Sequence, residues 1–191
     1  VQYAEKQLPI EPYLMGVLLG DGCVAEYDVT VCTDIEVIQH CGLEAYSHHE
    51  TSDYTAYARV KGVKQVMRDL GLMGKRSWEK HVPRDYMRGS VEQRLALLQG
   101  GGGLEFSSTS ENLTDAVVEL TQSLGGIARK SAPRVTRHQN GEGRPSWRVN
   151  VKLPANMTPF RLSRKLQGWV RPTKYQPARY IDRIEDTGQV M

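Results

Sequence analysis

Leu14-Met15-Gly16-Val17-Leu18-Leu19-Gly20-Asp21-Gly22 is the stretch on which the fold turns. Read from Glu11, where Pro12 suits a first helical turn and Gly20 and Gly22 end the run, it predicts a short helix over Glu11–Gly20. Gly16 and Gly20 stand four apart on one face, so that face carries no side chains and a second helix can approach it backbone to backbone. Asp21 falls at the helix C-terminus, where the macrodipole disfavours a carboxylate by about 0.3–1 kcal/mol. An acid placed there against local preference suggests a cation to hold. By itself Asp-Gly is equally an ordinary turn, so the surrounding chain has to decide.

Moving outward, Val24–Thr33 is strand-like, and Asp34 caps a helix through His40 that Gly42 ends. Strand candidates follow at Glu44–His49 and Tyr54–Val60, then a helix over Gly62–Leu70 stopped at Gly71. The same order then recurs. Ser90 caps a helix over Val91–Gly100, Leu104–Ser107 is strand-like, and Ser110 caps a helix over Asn112–Leu124 ended by Gly125 and Gly126. Strands at Ile127–Thr136 and Ser146–Leu153 and a helix near Thr158–Trp169 complete it. Two copies of about 90 residues each, in one order, are an internal duplication. The domains read as 1–89, the first half with its connecting segment, 90–173, the second half, and 174–191 beyond the repeat.

Quoted whole, Leu14–Gly22 resembles the motif that names the LAGLIDADG homing endonucleases, in the Leu-Gly-Asp-Gly form common in inteins. Lys80-His81-Val82-Pro83 is similar to the family's Lys-x-x-Pro block. Leu104–Gly126, Ser146–Pro154 and Phe160–Lys165 also resemble intein endonuclease sequence, and Lys174–Glu185 a return strand into an intein splicing domain. The resemblance implies an α+β fold, a pseudo-twofold duplicated αββαββα arrangement with two saddle-shaped antiparallel sheets. It implies a sequence-specific, metal-dependent hydrolysis of double-stranded DNA.

Arg94-Leu95-Ala96-Leu97-Leu98-Gln99-Gly100 approaches the second motif, with Ala96 and Gly100 repeating the small-residue spacing of Gly16 and Gly20. The family then continues into an acid-containing turn, but here Gly101-Gly102-Gly103 follows and the second acid is absent. The motif has decayed, been replaced by glycine, or lost residues. No Gly-Lys-Ser/Thr follows, which argues against a phosphate-binding glycine loop. As the resemblance implies, Asp21 with Gly20 binds magnesium, a hard cation suited to oxygen ligands and phosphate, with one site at most. Lys80 lies near the catalytic water, and Lys152 is a weaker second basic candidate. Double-strand cleavage is expected to be impaired. A non-catalytic DNA-binding or architectural module of the same fold is the alternative.

Along Ser146–Leu153, Trp147, Val149, Val151 and Leu153 alternate with Ser146, Arg148, Asn150 and Lys152, one face apolar and the other a guanidinium, an amide and an amine. Arg reads guanine, Asn reads adenine, and Lys serves guanine or phosphate. Thr55, Tyr57 and Arg59 share the corresponding face in the first half. Arg129, Arg134 and Arg137 add to the DNA-contacting set. A solvated polar face is the plain alternative.

The charge balance agrees. The net charge is +3, yet residues 1–126 hold 11 Lys+Arg against 18 Asp+Glu, and residues 127–183 hold 14 against 2. A block that basic looks like a polyanion-binding surface. Cys23, Cys32 and Cys41 lack metal or redox spacing and are expected to be buried thiols in a reducing, cytoplasmic setting. His48-His49-Glu50 would point to alternate faces of a strand, which disfavours a metal site. No transmembrane run of about 18 apolar residues occurs. The expected partners are double-stranded DNA and the splicing domain of a parent intein, with the chain a monomer. With Val1 first and Met191 last, neither a nucleophilic Cys or Ser nor a terminal His-Asn pair stands at the ends, so the chain is not expected to self-splice.

Overall fold

The computed structural model describes residues 2–25, 27–49, 52–138 and 141–169. The expected strand Lys174–Glu185 and segment 174–191 lie outside the described residues, as does the Glu50 of the histidine pair.

The first half runs α1 (Pro12–Gly20), β1 (Gly22–Cys23), β2 (Thr30–Asp34), α2 (Ile35–His40), β3 (Ala45–His49), β4 (Ser52–Arg59) and α3 (Lys64–Asp69). Local chemistry explains the breaks. Glu11 accepts the amide of Leu14 to open α1, and Asp34 accepts the amide of Glu36 to open α2, each satisfying an otherwise orphaned donor. Gly42 and Gly71 take positive φ just beyond α2 and α3. The single strand expected over Val24–Thr33 is instead a hairpin, because Gly22 and Cys23 pair back onto Val31 and Thr30.

A connector carrying α4 (Arg84–Met87) leads to the second half: α5 (Val91–Gly100), β5 (Glu105–Ser108), α6 (Glu111–Ser123), β6 (Ile127–Lys130), β7 (Arg134–His138), β8 (Gly141–Lys152) and α7 (Ser163–Gln167). Ser90 and Gln93 form a capping box at α5, and Ser110 caps α6. The strand expected over Ile127–Thr136 divides into β6 and β7. The helix expected over Thr158–Trp169 shrinks to Ser163–Gln167, because Pro159 interrupts its start.

Two antiparallel four-stranded sheets result. One has the order β1-β2-β4-β3, the other β5-β8-β6 with β7 pairing the outer part of β8. Superposed in order, β2 answers to β5, β4 to β8 and β3 to β6, whereas β1 has no counterpart. The duplicated αββαββα plan is therefore complete in the first half and one central strand short in the second.

Each sheet buries one face. Ala56, Ala58 and Val60 in and beside β4, and Val149, Val151 and Leu153 in and beside β8, are buried. The second set packs under α6 through Leu113, Val117 and Leu120. Trp147 is only half-buried, with the Lys130 ammonium 5.4 Å from its ring, so inward placement weakens toward the outer end of β8. Of the cysteines, all free, Cys23 is exposed and Cys32 and Cys41 half-buried. The expectation of three buried thiols fails first at Cys23, which sits in a two-residue strand too short to cover it. Burial pushes the Cys41 thiol up to about 11. Among the described residues no helix is long and apolar enough to cross a membrane.

Candidate functional site

The two motif helices meet main chain to main chain. A Cβ on Gly16 would fall 2.2 Å from the Leu97 carbonyl oxygen, and one on Gly100 would fall 2.1 Å from that of Tyr13. These contacts are mirror images: Gly16 lies against Leu97, Gly100 and Gly101, and Gly100 against Tyr13, Gly16 and Val17. The pseudo-twofold therefore maps Gly16 onto Gly100. This corrects the pairing of Gly16 with Ala96 and of Gly20 with Gly100. A Cβ on Gly20 would lie an ordinary 3.7 Å from Gly101, and Ala96 is simply buried. The four-residue spacing misleads because helix neighbours at i and i+4 share a face whether or not both touch the partner.

With that register, α1 runs a full turn beyond the crossing to Gly20 and Asp21, and α5 stops at the crossing itself. From Gly16 to the cap of α2 at Asp34 is eighteen residues; from Gly100 to the cap of α6 at Ser110 is ten. The eight missing residues correspond to the last helical turn, the acid and the central strand. Glu105 stands five residues after Gly100, as Asp21 does after Gly16, but it lies in β5 beside Arg148, 3.4 Å from that residue's Nε. It belongs to the sheet surface.

Asp21 is exposed at the end of α1, and its carboxylate accepts the Thr33 hydroxyl at 2.9 Å. Its turn is held by Lys80, 4% exposed. The ammonium donates to the carbonyls of Leu18 (2.9 Å), Leu19 (3.1 Å) and Gly22 (2.6 Å). Those are the carbonyls a helix C-terminus leaves without donors. Burial brings the Lys80 amine down to about 8, against the upward pull of Asp21 and Cys23. All three donors being taken, Lys80 is placed to position the Asp21 turn. Lys152 is exposed across from Ile127 and does not line the cleft that contains Asp21.

That cleft, about 640 Å³, lies between Asp21, Thr33, Asp34 and Thr55 on one side and Gly100, Gly102 and the strap 160–165 on the other. Phe160 of the strap packs against Gly103, where a Cβ would meet its ring at 2.4 Å. Sequence patterning did not single out the strap as part of the site, although its three cations within five residues were a usable signal.

The donors around Asp21 are all oxygen: its carboxylate, the Thr33 hydroxyl and the Gly20 carbonyl, which Lys80 leaves alone. Among the described residues no group of three or more His, Cys, Asp or Glu gathers for a metal. One carboxylate with hydroxyl, carbonyl and water suits magnesium, which is held by one or two carboxylates together with substrate phosphate.

The polar sheet faces differ. In the second half, Arg129 and Glu105 both stand opposite Asn150, and Ser107 stands opposite Arg148, so Arg129, Arg148, Asn150 and Lys152 share one exposed face. Arg134 and Arg137 continue it along β7, Arg137 lying 3.4 Å from Glu142. In the first half, Arg59, Tyr57 and Thr55 stand opposite Thr30, Cys32 and Asp34, and Arg59 lies 3.4 Å from Asp28.

A crossed pair of motif helices over two antiparallel sheets is the LAGLIDADG homing-endonuclease fold. No family model matches the chain. A curated relative, the replicative DNA helicase DnaB of Mycobacterium intracellulare, is 30% identical over 171 residues, which are 84% of this chain and 26% of the relative. The chain thus spans about a quarter of that protein's length. Similar solved structures include a variant of I-DmoI in complex with its target DNA in the presence of magnesium, with 12% identity, a TM-score of 0.45 and coverage of 74% of this chain and 88% of that one. Mesophilic variants of the homing endonuclease I-DmoI match at 12% identity and a TM-score of 0.41, over 75% and 89% of the two chains.

Proposed function

We propose that this chain is the DNA-binding homing-endonuclease domain of an intein, impaired in double-strand cleavage. The observation that carries the reading is the register of the helix pair: Gly16 and Gly100 cross as equivalents, yet only α1 continues to an acid. An intein origin is supported by the motif strings and by a match confined to a quarter of a much longer helicase, as an inserted segment would give. In that setting the natural partners are double-stranded DNA and a splicing domain, and the chain acts as a monomer in the cytoplasm.

When bound at Asp21, magnesium would polarise a phosphate oxygen and lower the pKa of a bound water. The chain's own part is to place that carboxylate at the helix end, steady it with Thr33, and pin its turn through Lys80. The sheet face bearing Arg129, Arg148, Asn150 and Lys152 would lie along the duplex, with guanidinium and amide reading base edges. Arg134 and Arg137 would meet phosphates, and Thr55, Tyr57 and Arg59 would contribute the weaker half of the contact. A single acid leaves one strand without its metal contact, so the products are nicks or none. Lys174-x-x-Pro177 repeats the spacing of Lys80-x-x-Pro83 and is a better candidate than Lys152 for the second basic group.

The test is a duplex selected from a random library by this chain, cloned into a plasmid and incubated with magnesium. Salt-sensitive binding with nicking or no cleavage is expected. Efficient linearisation would remove the claim of impairment, and no duplex affinity at low salt would remove the DNA-binding reading. Binding without any nicking would favour the non-catalytic module.

A further inference from the structure

The wall of the Asp21 cleft that faces the lost half-site is cationic. Arg161, Arg164 and Lys165 all line it, but they are not equivalent. Arg164 is engaged: its Nε and one terminal nitrogen both lie 2.9 Å from the Asp34 carboxylate. The Lys165 ammonium sits 5.2 Å from the Phe160 ring centroid, on a flexible stem. Arg161 is held in place without being neutralised. Its guanidinium lies over the Tyr13 ring at 4.2 Å, and its Nε donates to Gln99 Oε1 at 3.1 Å. Gln99 is itself fixed, its amide donating to the Thr158 carbonyl at 2.6 Å. The carboxylate nearest the guanidinium among its recorded partners, Glu11, is 4.0 Å away and 54% exposed, a contact worth little in water.

Gln99 is the residue before Gly100, at the end of the truncated motif helix. The second helix thus ends by orienting a guanidinium where the first ends in an acid. An acid that holds a dication presents net positive charge to phosphate. A guanidinium presents the same sign with no metal, and its planar fork suits a phosphate's paired oxygens.

We infer that Arg161 is a phosphate-binding residue at the centre of the DNA interface, taking a backbone phosphodiester on the side of the site that has lost its acid. The inference rests on the DNA-binding reading proposed above. Tyr13 and Gln99 are positioning residues for it, and Asp21 serves the opposite phosphate.

Two measurements test it, neither of them cleavage. In the first, duplex affinity is titrated against salt in EDTA for the wild type, Arg161→Gln and Arg161→Lys. Arg161→Gln should reduce the slope of log K against log salt by about one and lower affinity about tenfold at low salt, and Arg161→Lys should restore the slope. In the second, the protein is left unaltered and a neutral methylphosphonate is moved along each strand of the selected duplex. One central position on one strand should weaken binding by a similar factor in EDTA. An unchanged slope in folded Arg161→Gln, or the absence of any sensitive central phosphate, overturns the inference. Failure of the wild type to bind duplex would instead overturn the proposed function.

Discussion

The two halves of this molecule begin alike and part at one point. Each sends a motif helix to a crossing made of glycine backbone, Gly16 on one side and Gly100 on the other. Beyond it the first half has a further turn, an acid and a central strand; the second has three glycines and then β5. The contact that joins the halves is made by residues before the break, and the chemistry by residues after it. Fold and catalysis are therefore separable, and eight residues can be lost without unpairing the helices. The halves differ again on their polar faces. Around β4 the one arginine is shadowed by Asp28, whereas β6, β7 and β8 carry a run of cations with Glu105 and Glu142 between them.

The largest effect should come from erasing the difference. Replacing Gly101–Gly103 with the eleven residues Val17–Tyr27 restores the missing eight and supplies an acid after the second crossing. Linearisation of a target plasmid in magnesium should rise by on the order of 10²–10⁴, from several kcal/mol of regained charge stabilisation. A grafted chain that folds, binds and still only nicks would show that the halves differ in more than this turn.

Next in size is the crossing. Gly16→Ala or Gly100→Ala forces two backbones apart and should cost about 1–3 kcal/mol or more in denaturant unfolding, whereas Gly20→Ala should change stability by under about 0.5 kcal/mol. Equal costs at Gly16 and Gly20 would restore the original pairing and sink the eight-residue difference.

Lys80→Met should leave the carbonyls of Leu18 and Leu19 without donors, at about 1–3 kcal/mol each, partly offset by relief of a buried charge. The pH dependence has a definite sign. The Lys80 amine falls from 10.5 unfolded to about 8 folded, so the unfolded chain binds more protons between those values. The penalty for charging the buried amine is fully present below about pH 8 and is removed as pH rises toward 10.5. Wild type should gain on Lys80→Met across that window in paired urea titrations; a flat difference would mean the ammonium is not desolvated.

The smallest effects concern the sheet faces. Arg148→Ala should lose about 1–3 kcal/mol on the selected duplex and relax discrimination at one position, and Arg59→Ala should lose less because Asp28 already shadows its charge. Single-base variant libraries report both. An equal loss at Arg59 would make the halves partners in recognition.

Much of this was legible from residue order. Caps at Asp34, Ser90 and Ser110 and stops at Gly42 and Gly71 are local chemistry, satisfied within a few residues of chain. The alternation in β4 and β8 survived because a buried face has period two. Less legible was anything that depended on which backbone met which. The hairpin at Gly22–Cys23 was hidden because the loop between its strands carries the apolar Val24 and Val29, both buried and both read as strand.

The sequence by itself determined the duplication, the acid at Asp21, the missing acid after Gly100 and the basic second half, since each is a property of residue type and spacing. Only the tertiary structure decided that Gly16 pairs with Gly100, that Lys80 spends its three donors on the carbonyls around Asp21, and that Arg161 reaches the cleft from a segment about sixty residues beyond α5. The physical reason is the same in each case. Helical periodicity says which residues share a face, and only the packed partner says which of them touch. A buried charge, likewise, takes its role from acceptors brought to it by the fold, at Lys80 from residues some sixty positions away.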